Sequence, residues 1–486
     1  MDVIVMERHA QVSCSVGELV SRSALAEAHI VGEPDVVVSG VSLDSRKAMP
    51  GDLFCCVPGS EVDGHDFARD AVAQGATALL VEREVHGVDD SVPQIVVPDV
   101  RIAMGPLSSE LFGKPSTRMC VVGVTGTNGK TTTTAMLASI FASAGHRTEV
   151  LGTLTGSRTT PEAPDLQRFF ADSLTDDVSY VAMEVSSHAL DQHRVDGTRF
   201  GAVVFTNLGR DHLDYHETTE RYFAAKARLF IEDFSDIAVV NADDVHGRLL
   251  IDSRAGGAST YSRKDIDNVR VSAESLSFSW QGTTINVPIG GDFNVDNALA
   301  ACVTARELGF SLEEIREGLA SLRPVKGRFE YISTTAGVHV VIDYAHTPEA
   351  LERLLTSVAT EHGKRLIVVF GCGGDRDAGK RPVMGAIAVT HADVVVVTSD
   401  NPRHEDAAAI IDDIIVGVDD VSRPKVSRVV DRRAAIEHAI TMAEPGDMVV
   451  IAGRGHESQQ EIAGEMRDFD DAVVAREVIQ RLVRPA

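Results

Sequence analysis

Residues Arg118–Thr134 read RMCVVGVTGTNGKTTTT. Met119 to Val124 is a short apolar run rich in β-branched residues, which predicts a buried strand. Gly126, Asn128 and Gly129 follow as a turn. Lys130 then opens a helix on which Met136, Leu137, Ile140, Phe141 and Ala144 recur at helical spacing. Strand, glycine turn, Lys-Thr and helix make a phosphate cradle, because the first N–H groups of a helix lack intrahelical acceptors and its dipole is positive there. Lys130 has the reach for β- and γ-phosphates, and the Thr131 hydroxyl is a Mg²⁺ ligand type. The strict P-loop pattern wants glycine where this chain has Val124, although Gly123 and Gly126 flank it. A bare strand-to-helix turn does not need two glycines, a lysine and four threonines together. Gly126, Thr127, Asn128, Gly129, Lys130, Thr131 and Thr132 are therefore read as a nucleotide phosphate site.

At 486 residues the chain exceeds one ordinary core and predicts two to four domains. Its net charge of −26 argues against nucleic-acid or membrane-surface partners, while leaving room for anionic substrates held by local loops and arginines. The six cysteines (Cys14, Cys55, Cys56, Cys120, Cys302, Cys372) form no C-x-x-C pair, which predicts buried free thiols in a reducing compartment. No basic-then-apolar start and no membrane-length apolar run occur, so a cytoplasmic protein is expected.

Outward from the glycine loop, the chain divides at two boundaries. Before Gly113-Lys114-Pro115-Ser116 the pattern predicts strands at 36–43, 53–57 and 78–81 and helices at 63–75 and 102–112. From 117, strands at 119–124, 148–151, 179–185, 201–207 and 237–241 alternate with helices at 130–145, 164–174, 217–232 and 246–252, which implies a parallel α/β sheet. Residues 269–287 read as strands with Trp280 as a core anchor, and helices are expected at 294–308 and 312–322. Arg323-Pro324-Val325-Lys326-Gly327 marks the second boundary. Beyond it strands at 338–343, 366–370, 393–398 and 448–452 alternate with helices at 348–361, 380–391, 407–416, 432–443 and 471–483.

Chemistry-bearing residues gather after predicted strand ends, where open parallel sheets bind ligands. Glu184 ends the run YVAMEV and is placed to reach a metal bound with ATP, or else to pair with a neighbour. His212 in Gly209-Arg210-Asp211-His212 follows the next strand and reads as a metal ligand or a hydrogen-bonded loop histidine. Lys226, alone among mostly apolar neighbours in YFAAKARLF, reads by itself as a snorkelling or ion-paired lysine. Thr159-Thr160-Pro161-Glu162 suits either an N-cap or a ligand loop. Three further loops, 370–376, 400–403 and 453–457, put arginines, acids and free N–H groups around one crevice suited to a zwitterion. Arg376 stands where a dinucleotide fingerprint needs its third glycine, so NAD is not expected.

These segments resemble the Mur ligase family over nearly the full length. LDSR (43–46), GVTGTNGKTTT (123–133), MEVSSHALDQHRV (183–195), FTNLGRDHLDYH (205–216), YFAAKARLF (222–230), GRFE (327–330), DYAHTP (343–348), GCGGDRDAGKRP (371–382), DNPRHE (400–405) and GRGHE (453–457) carry the resemblance. It implies an α/β fold of three domains: 1–114 binding the UDP substrate, 115–325 a central P-loop-type parallel-sheet ATPase, and 326–486 a Rossmann-like amino-acid-binding domain. It also implies an ATP-dependent ligase of peptidoglycan synthesis, acting through an acyl phosphate. The expected reaction adds meso-diaminopimelate to UDP-N-acetylmuramoyl-L-alanyl-D-glutamate, with L-lysine or another diamino acid as the alternative. Small-molecule substrates, no nucleic acid, no membrane insertion and a monomer are the implied partners and state.

By position, the resemblance gives Leu43, Ser45, Ser60, Glu61, Val62, Thr159, Thr160, Ser186, Gln192 and Arg194 to the UDP substrate, and Asn297 and Asp343 to ATP. Arg376, Asp400, Asn401, Pro402, Arg403, Gly453 and Glu457 fall to the amino acid. Lys226 matches a lysine that the family carbamylates, which reverses the bland reading. As a carbamate it would join Thr131, Glu184 and His212 around Mg²⁺, and Lys130, Lys226, Glu184 and His212 are the implied catalytic set. Arg403 would offer a fork to the second carboxylate of diaminopimelate and be left unpaired by lysine. Arg158, where some members have Asn, and Arg454, where Lys is usual, are departures that leave local contacts open. A related ligase on the same scaffold, folylpolyglutamate synthetase or another Mur ligase, is a competing reading that LDSR and D-N-P-R oppose. A non-catalytic ATP switch would leave Lys226 and the amino-acid loops without work.

Overall fold

Alternating apolar residues decide which sheet face meets which helices. A computed structural model describes residues 13–23, 25, 27–59, 62–156, 158–333, 337–359 and 364–483. The chain forms two compact units. One draws on the chain up to Thr125 with Gly145–Val203 and Ala225–Ala238; the other on Gly126–Ala144, Val204–Ala224 and the chain from Val239 on.

The first unit opens with a five-stranded sheet in the order His29–Val31, Gln94–Val96, Ala78–Val81, Asp52–Cys55, Gly40–Ser42. All its pairs are parallel except the first. Leu53, Cys55 and Leu80 face a core with Val16, Leu19, Met104 and Leu107, while Phe54, Leu79 and Val81 face Ala68 and Ala71. Both faces are covered, as parallel strands require. Val36 to Leu43 is not one strand: the Ser39 N–H donates to the Gly51 carbonyl (2.7 Å). Val37–Val38 pairs with Cys14–Ser15, and Gly40–Ser42 joins the main sheet. The helix expected at 63–75 begins as a 3₁₀ turn, Gly64–Phe67, before the α-helix Ala68–Gln74. Further along, Tyr180–Glu184 pairs in parallel with Cys120–Thr125 on one side and Thr148–Leu151 on the other.

In the second unit the helix Lys130–Ser143 packs on the helices Phe293–Glu307 and Leu312–Ala320. Gly318 allows the close approach, since a Cβ there would meet the Ile140 Cα at 2.4 Å. The strand pair Ala238–Asn241 and Ser259–Tyr261 is parallel. Residues 266–287 form a three-stranded antiparallel sheet in which Trp280 is buried. The helix expected at 217–232 is broken up. Glu217 at φ +65° stops the turn Leu213–His216, and the Thr218 hydroxyl accepts from the Arg221 N–H as Thr219–Ala227 begins.

The C-terminal part carries a six-stranded sheet in the order Glu330–Ser333, His339–Asp343, Met448–Ala452, Leu366–Phe370, Val394–Val397, Val426–Arg428. Only the first strand runs antiparallel. The pattern did not suggest the two short edge strands or the hairpin Gln459–Ile462/Glu465–Asp468, whose polar sequences lack an apolar repeat. The helices Arg432–Met442 and Asp471–Val483 cover one face through Ile436, Ile440, Val474 and Val478. Arg432 and Asp471, both without exposed side-chain surface, pair bidentately (2.8 and 2.7 Å). Arg432 also donates to the carbonyls of Ser399 and Ala452 (3.2 and 3.0 Å).

All six cysteines are free thiols. Burial pushes Cys56 and Cys372 up to about 12 and Cys120 up to about 11, and raises Cys14, Cys55 and Cys302 as well. No helix among the described residues is long and apolar enough to cross a membrane.

Removing one member of the Arg432–Asp471 pair strands the other in the core. Arg432→Met is expected to lower stability by ~3–5 kcal/mol, read as a fall in the thermal midpoint or in the denaturant midpoint. An unchanged midpoint would show that the pair contributes nothing net.

Candidate active site

The glycine loop takes the backbone shape that phosphate binding asks for. Gly126 and Gly129 have φ of +151° and +89°, and a Cβ at either would lie within about van der Waals overlap of Thr206 Oγ1 (1.9 Å) or Asn297 Oδ1 (2.2 Å). Asn297 therefore touches the loop directly. The helix Lys130–Ser143 starts at Gly129 with no side-chain cap, which turns its first N–H groups toward the loop. Lys130 Nζ donates to the carbonyls of Gly126 (2.8 Å) and Thr127 (3.0 Å). Asn207 braces the loop by accepting from the N–H groups of Thr127 and Asn128, and Thr206 Oγ1 donates to the Asn128 carbonyl. Thr131 and Thr132 are buried in the first turn.

Arg328 was not singled out by sequence reasoning. Its Nη2 donates to Thr131 Oγ1 (3.0 Å), and its guanidinium lies 4.5 Å from the Tyr344 ring centroid. The sequence carried it only inside the segment GRFE (327–330), with no role attached. Asp343, at the end of its strand, accepts from the Phe329 N–H (2.7 Å); burial raises its carboxyl against the opposing pull of Arg328.

His212 sits at φ +54° beside Asp211 (3.4 Å). Burial disfavours the ionised Asp211, but His346, His212 and Lys380 outweigh it and hold that carboxyl well below the usual range. The next residue back, Arg210, pairs with Asp377 (3.1 Å) in the loop that carries Arg376.

In the other unit, Glu184 is buried at its strand end and accepts from Thr153 N–H (2.9 Å) and Thr153 Oγ1 (3.2 Å). Lys226 is 1% exposed, so the snorkelling reading fails. Thr160 Oγ1 donates to the Glu184 carbonyl and accepts from the Ser186 N–H, and Thr159 bonds Thr153 through their hydroxyls. Arg194 donates to the Thr160 carbonyl (3.1 Å) and Gln192 Oε1 (2.6 Å) and faces Glu162 (3.1 Å). Glu162, which the sequence offered only as part of a polar turn, also pairs with Arg158 and stands 3.8 Å from Arg101. This local surplus of arginines suits an anionic ligand despite the acidic chain. Ser45 is buried in the turn Ser45–Lys47, Leu43 is partly buried and Val62 exposed. Ser60 and Glu61 lie outside the described residues.

The loops at 370–376, 400–403 and 453–457 meet at the C-terminal edge of the last sheet. Asp400 Oδ1 accepts from the Asn401 N–H (2.7 Å), and Asn401 Nδ2 donates to Glu457 Oε2 (2.7 Å). Burial and Asp400 raise the Glu457 carboxyl above its ordinary value, against Asn401 and Arg454. Gly453, at φ +113°, leaves room for Asp400, whose Oδ2 would lie 2.7 Å from a Cβ there. Pro402 is buried behind Arg403. Arg376 is exposed and donates to the Asp375 carbonyl.

Arg403 corrects one expectation. Its Nη1 donates to the Gly374 carbonyl (2.7 Å) and its Nε faces Glu461 (3.5 Å), so a substrate lacking a second carboxylate does not orphan it.

Three family profiles match the chain: the Mur ligase family catalytic domain over residues 37–110, the Mur ligase middle domain over 124–305, and the Mur ligase glutamate ligase domain over 327–455. The UDP-N-acetylmuramoyl-L-alanyl-D-glutamate--2,6-diaminopimelate ligase of Syntrophomonas wolfei is 41% identical over 474 residues, spanning 93% of this chain and 97% of that protein. A solved structure of a ligase of that name aligns with a TM-score of 0.68 at 35% identity, covering 97% of this chain and 100% of that one. The MurF ligase of Thermotoga maritima, solved with ADP, shares the fold at a TM-score of 0.62 and 19% identity, over 91% of this chain and 96% of that one. With such identity along nearly its whole length, the chain belongs to the Mur ligase family.

Proposed function

We propose that the chain is the ATP-dependent ligase that joins meso-diaminopimelate to UDP-N-acetylmuramoyl-L-alanyl-D-glutamate, releasing ADP and phosphate. The observation that carries this is the junction of Asp400, Asn401, Arg403 and Glu457 at one sheet edge, in a chain 41% identical to a ligase of that name. We further propose that residues 1–114, 115–325 and 326–486 act as UDP-substrate, ATP and amino-acid domains of a cytoplasmic monomer.

In this reading the D-glutamate side-chain carboxylate attacks the γ-phosphorus of ATP, forming an acyl phosphate and ADP. The neutral amine of the amino acid then attacks the acyl carbon, and the tetrahedral intermediate gives up a proton from the attacking nitrogen to solvent and expels phosphate. Gly126 to Thr132 cradle the phosphates through backbone N–H groups, and Lys130 swings from the Gly126 and Thr127 carbonyls onto the transferring group. Asn297 and Asp343 hold the rest of the nucleotide. Thr159, Thr160, Ser186, Gln192 and Arg194 receive the muramoyl-dipeptide, and Leu43, Ser45, Ser60, Glu61 and Val62 the uridine nucleotide. Arg376, Arg403 and Asn401 take the carboxylates of diaminopimelate, and Glu457, with Asp400 and Gly453 beside it, takes an ammonium.

By donor type, the Thr131 hydroxyl and the buried Glu184 carboxylate are the hard oxygen ligands that Mg²⁺ takes, and His212 enters the set only through the family resemblance. Lys226 would complete the set as a carbamate, since a plain lysine repels a cation. When bound, the ion neutralises charge on the phosphates. A second reading, transfer of L-lysine, draws on the internal partners of Arg403.

Lys130→Ala is expected to stay folded and lose ~10²–10³ in kcat; a folded variant with more than about a tenth of the wild-type rate removes the phosphate role. Lys226→Ala should be nearly inactive and regain part of its rate with a small added carboxylate, whereas normal turnover would end the carbamate reading. For the amino acid, kcat/KM should favour meso-diaminopimelate over lysine by at least about tenfold, each tenfold being ~1.4 kcal/mol, and Arg403→Ala should erode that ratio. Equal values in the wild type would leave the lysine reading standing.

A further inference from the structure

Arg454 has no exposed side-chain surface, yet it lies directly under the amino-acid pocket. Its Nη1 donates to Asn401 Oδ1 (2.8 Å), and its Nη2 to the carbonyls of Gln459 (2.7 Å) and Phe469 (3.2 Å). The guanidinium lies 5.4 Å from the Phe469 ring centroid, and Glu457 Oε2 is 3.9 Å from Nη1. The strand Met448–Ala452 delivers this residue, and the hairpin Gln459–Ile462/Glu465–Asp468 closes over it.

The bonding around Asn401 leaves its carboxamide one orientation. Oδ1 accepts from Arg454 and also from the Glu461 N–H (3.0 Å), while Nδ2 donates to Glu457 Oε2 (2.7 Å). A flipped amide would set its NH₂ against two donors and its oxygen against a carboxylate, losing three hydrogen bonds at once. One amide hydrogen is used on Glu457, so the second is available to a carboxylate in the pocket. Without Arg454, Oδ1 keeps only the Glu461 N–H, and Glu457 and Asp400 face each other without the nearest buried cation.

We propose that Arg454 is a positioning residue of the amino-acid site: it locks the Asn401 carboxamide with its NH₂ toward Glu457 and so fixes Glu457 as the carboxylate that accepts the substrate ammonium. The proposal rests on the assignment of this pocket to the amino acid. Its partners are Asn401, Glu457, Gln459 and Phe469, so its effect is expected on that substrate.

The test uses the full chain, with steady-state kinetics for meso-diaminopimelate, ATP and the UDP-dipeptide. Arg454→Met should raise KM for diaminopimelate by about tenfold or more, as expected for losing a hydrogen bond from a charged donor. KM for ATP should move by less than about twofold and kcat by less than KM. Arg454→Lys keeps the charge and a donor for Asn401 Oδ1 but not the planar fork, so its KM should fall between those of wild type and Arg454→Met. Adding Arg454→Met to Asn401→Ala should have little further effect, since the arginine acts through Asn401. Additive effects, or equal rises in all three KM values, would overturn the proposal. Should Arg454→Met not fold, Asn401→Asp decides: it still accepts from Arg454 but can only repel Glu457, and an unchanged KM for diaminopimelate overturns the proposal. A wild type that does not turn over diaminopimelate would instead remove the assignment of the pocket, a distinct result.

Discussion

Parallel pairing is the constraint on which the rest of this structure depends. A parallel strand must be followed by a crossover, so every strand in such a sheet ends on the same edge. Glu184, Asp343 and Ala452 each close a strand, and the residues that follow Phe370 and Val397 leave from the same edge of their sheet. Loops far apart in sequence are thereby collected with no need for long excursions. The crowding has a cost in backbone carbonyls and carboxylates brought together, and buried cations answer it. Arg432 takes the Ser399 and Ala452 carbonyls, Arg381 takes Gly373 O and Glu405, and Arg454 takes Asn401, Gln459 and Phe469. Arginine suits this work because its planar fork serves several acceptors and remains charged when desolvated.

Much of this was legible in the sequence, and the limits were physical. Strands with continuous apolar runs, such as Leu366–Phe370 and Met448–Ala452, fell where the pattern put them because both of their faces are buried. Edge strands such as Val426–Arg428 and the polar hairpin at 459–468 owe their pairing to neighbours, so no local repeat announced them. The helix break at Glu217 came from a single residue at positive φ, which periodicity does not register. The glycine loop was readable because glycine, lysine and threonine are each required there for a stated reason. Glu162 and the contacts of Arg328 were not, because a charged side chain shows no partners until folding brings them to it.

The same distinction separates the arginines by depth. Arg376 and Arg403 stood out in the sequence as ligand-type residues, and Arg376 is indeed exposed. Arg454 stood out only as a departure, and burial gives it the larger number of fixed partners. Desolvation and the proximity of Arg432 lower its proton affinity, while Asp400, Asp471 and Glu457 oppose the fall. These buried charges form one electrostatic set, so a change in any of them is felt by the others through a medium that screens poorly.

The six thiols have a practical consequence. The reactive species of a cysteine is its thiolate, and burial suppresses ionisation at all six positions. Alkylating probes at neutral pH will therefore find little to modify in the folded protein. A single cysteine introduced on an open surface, at Val421 for instance (88% exposed), would stand alone as an attachment point for a fluorophore or spin label. Spectroscopic reporters can thus be placed in the native background, without first stripping the core of the sulfur atoms that fill it.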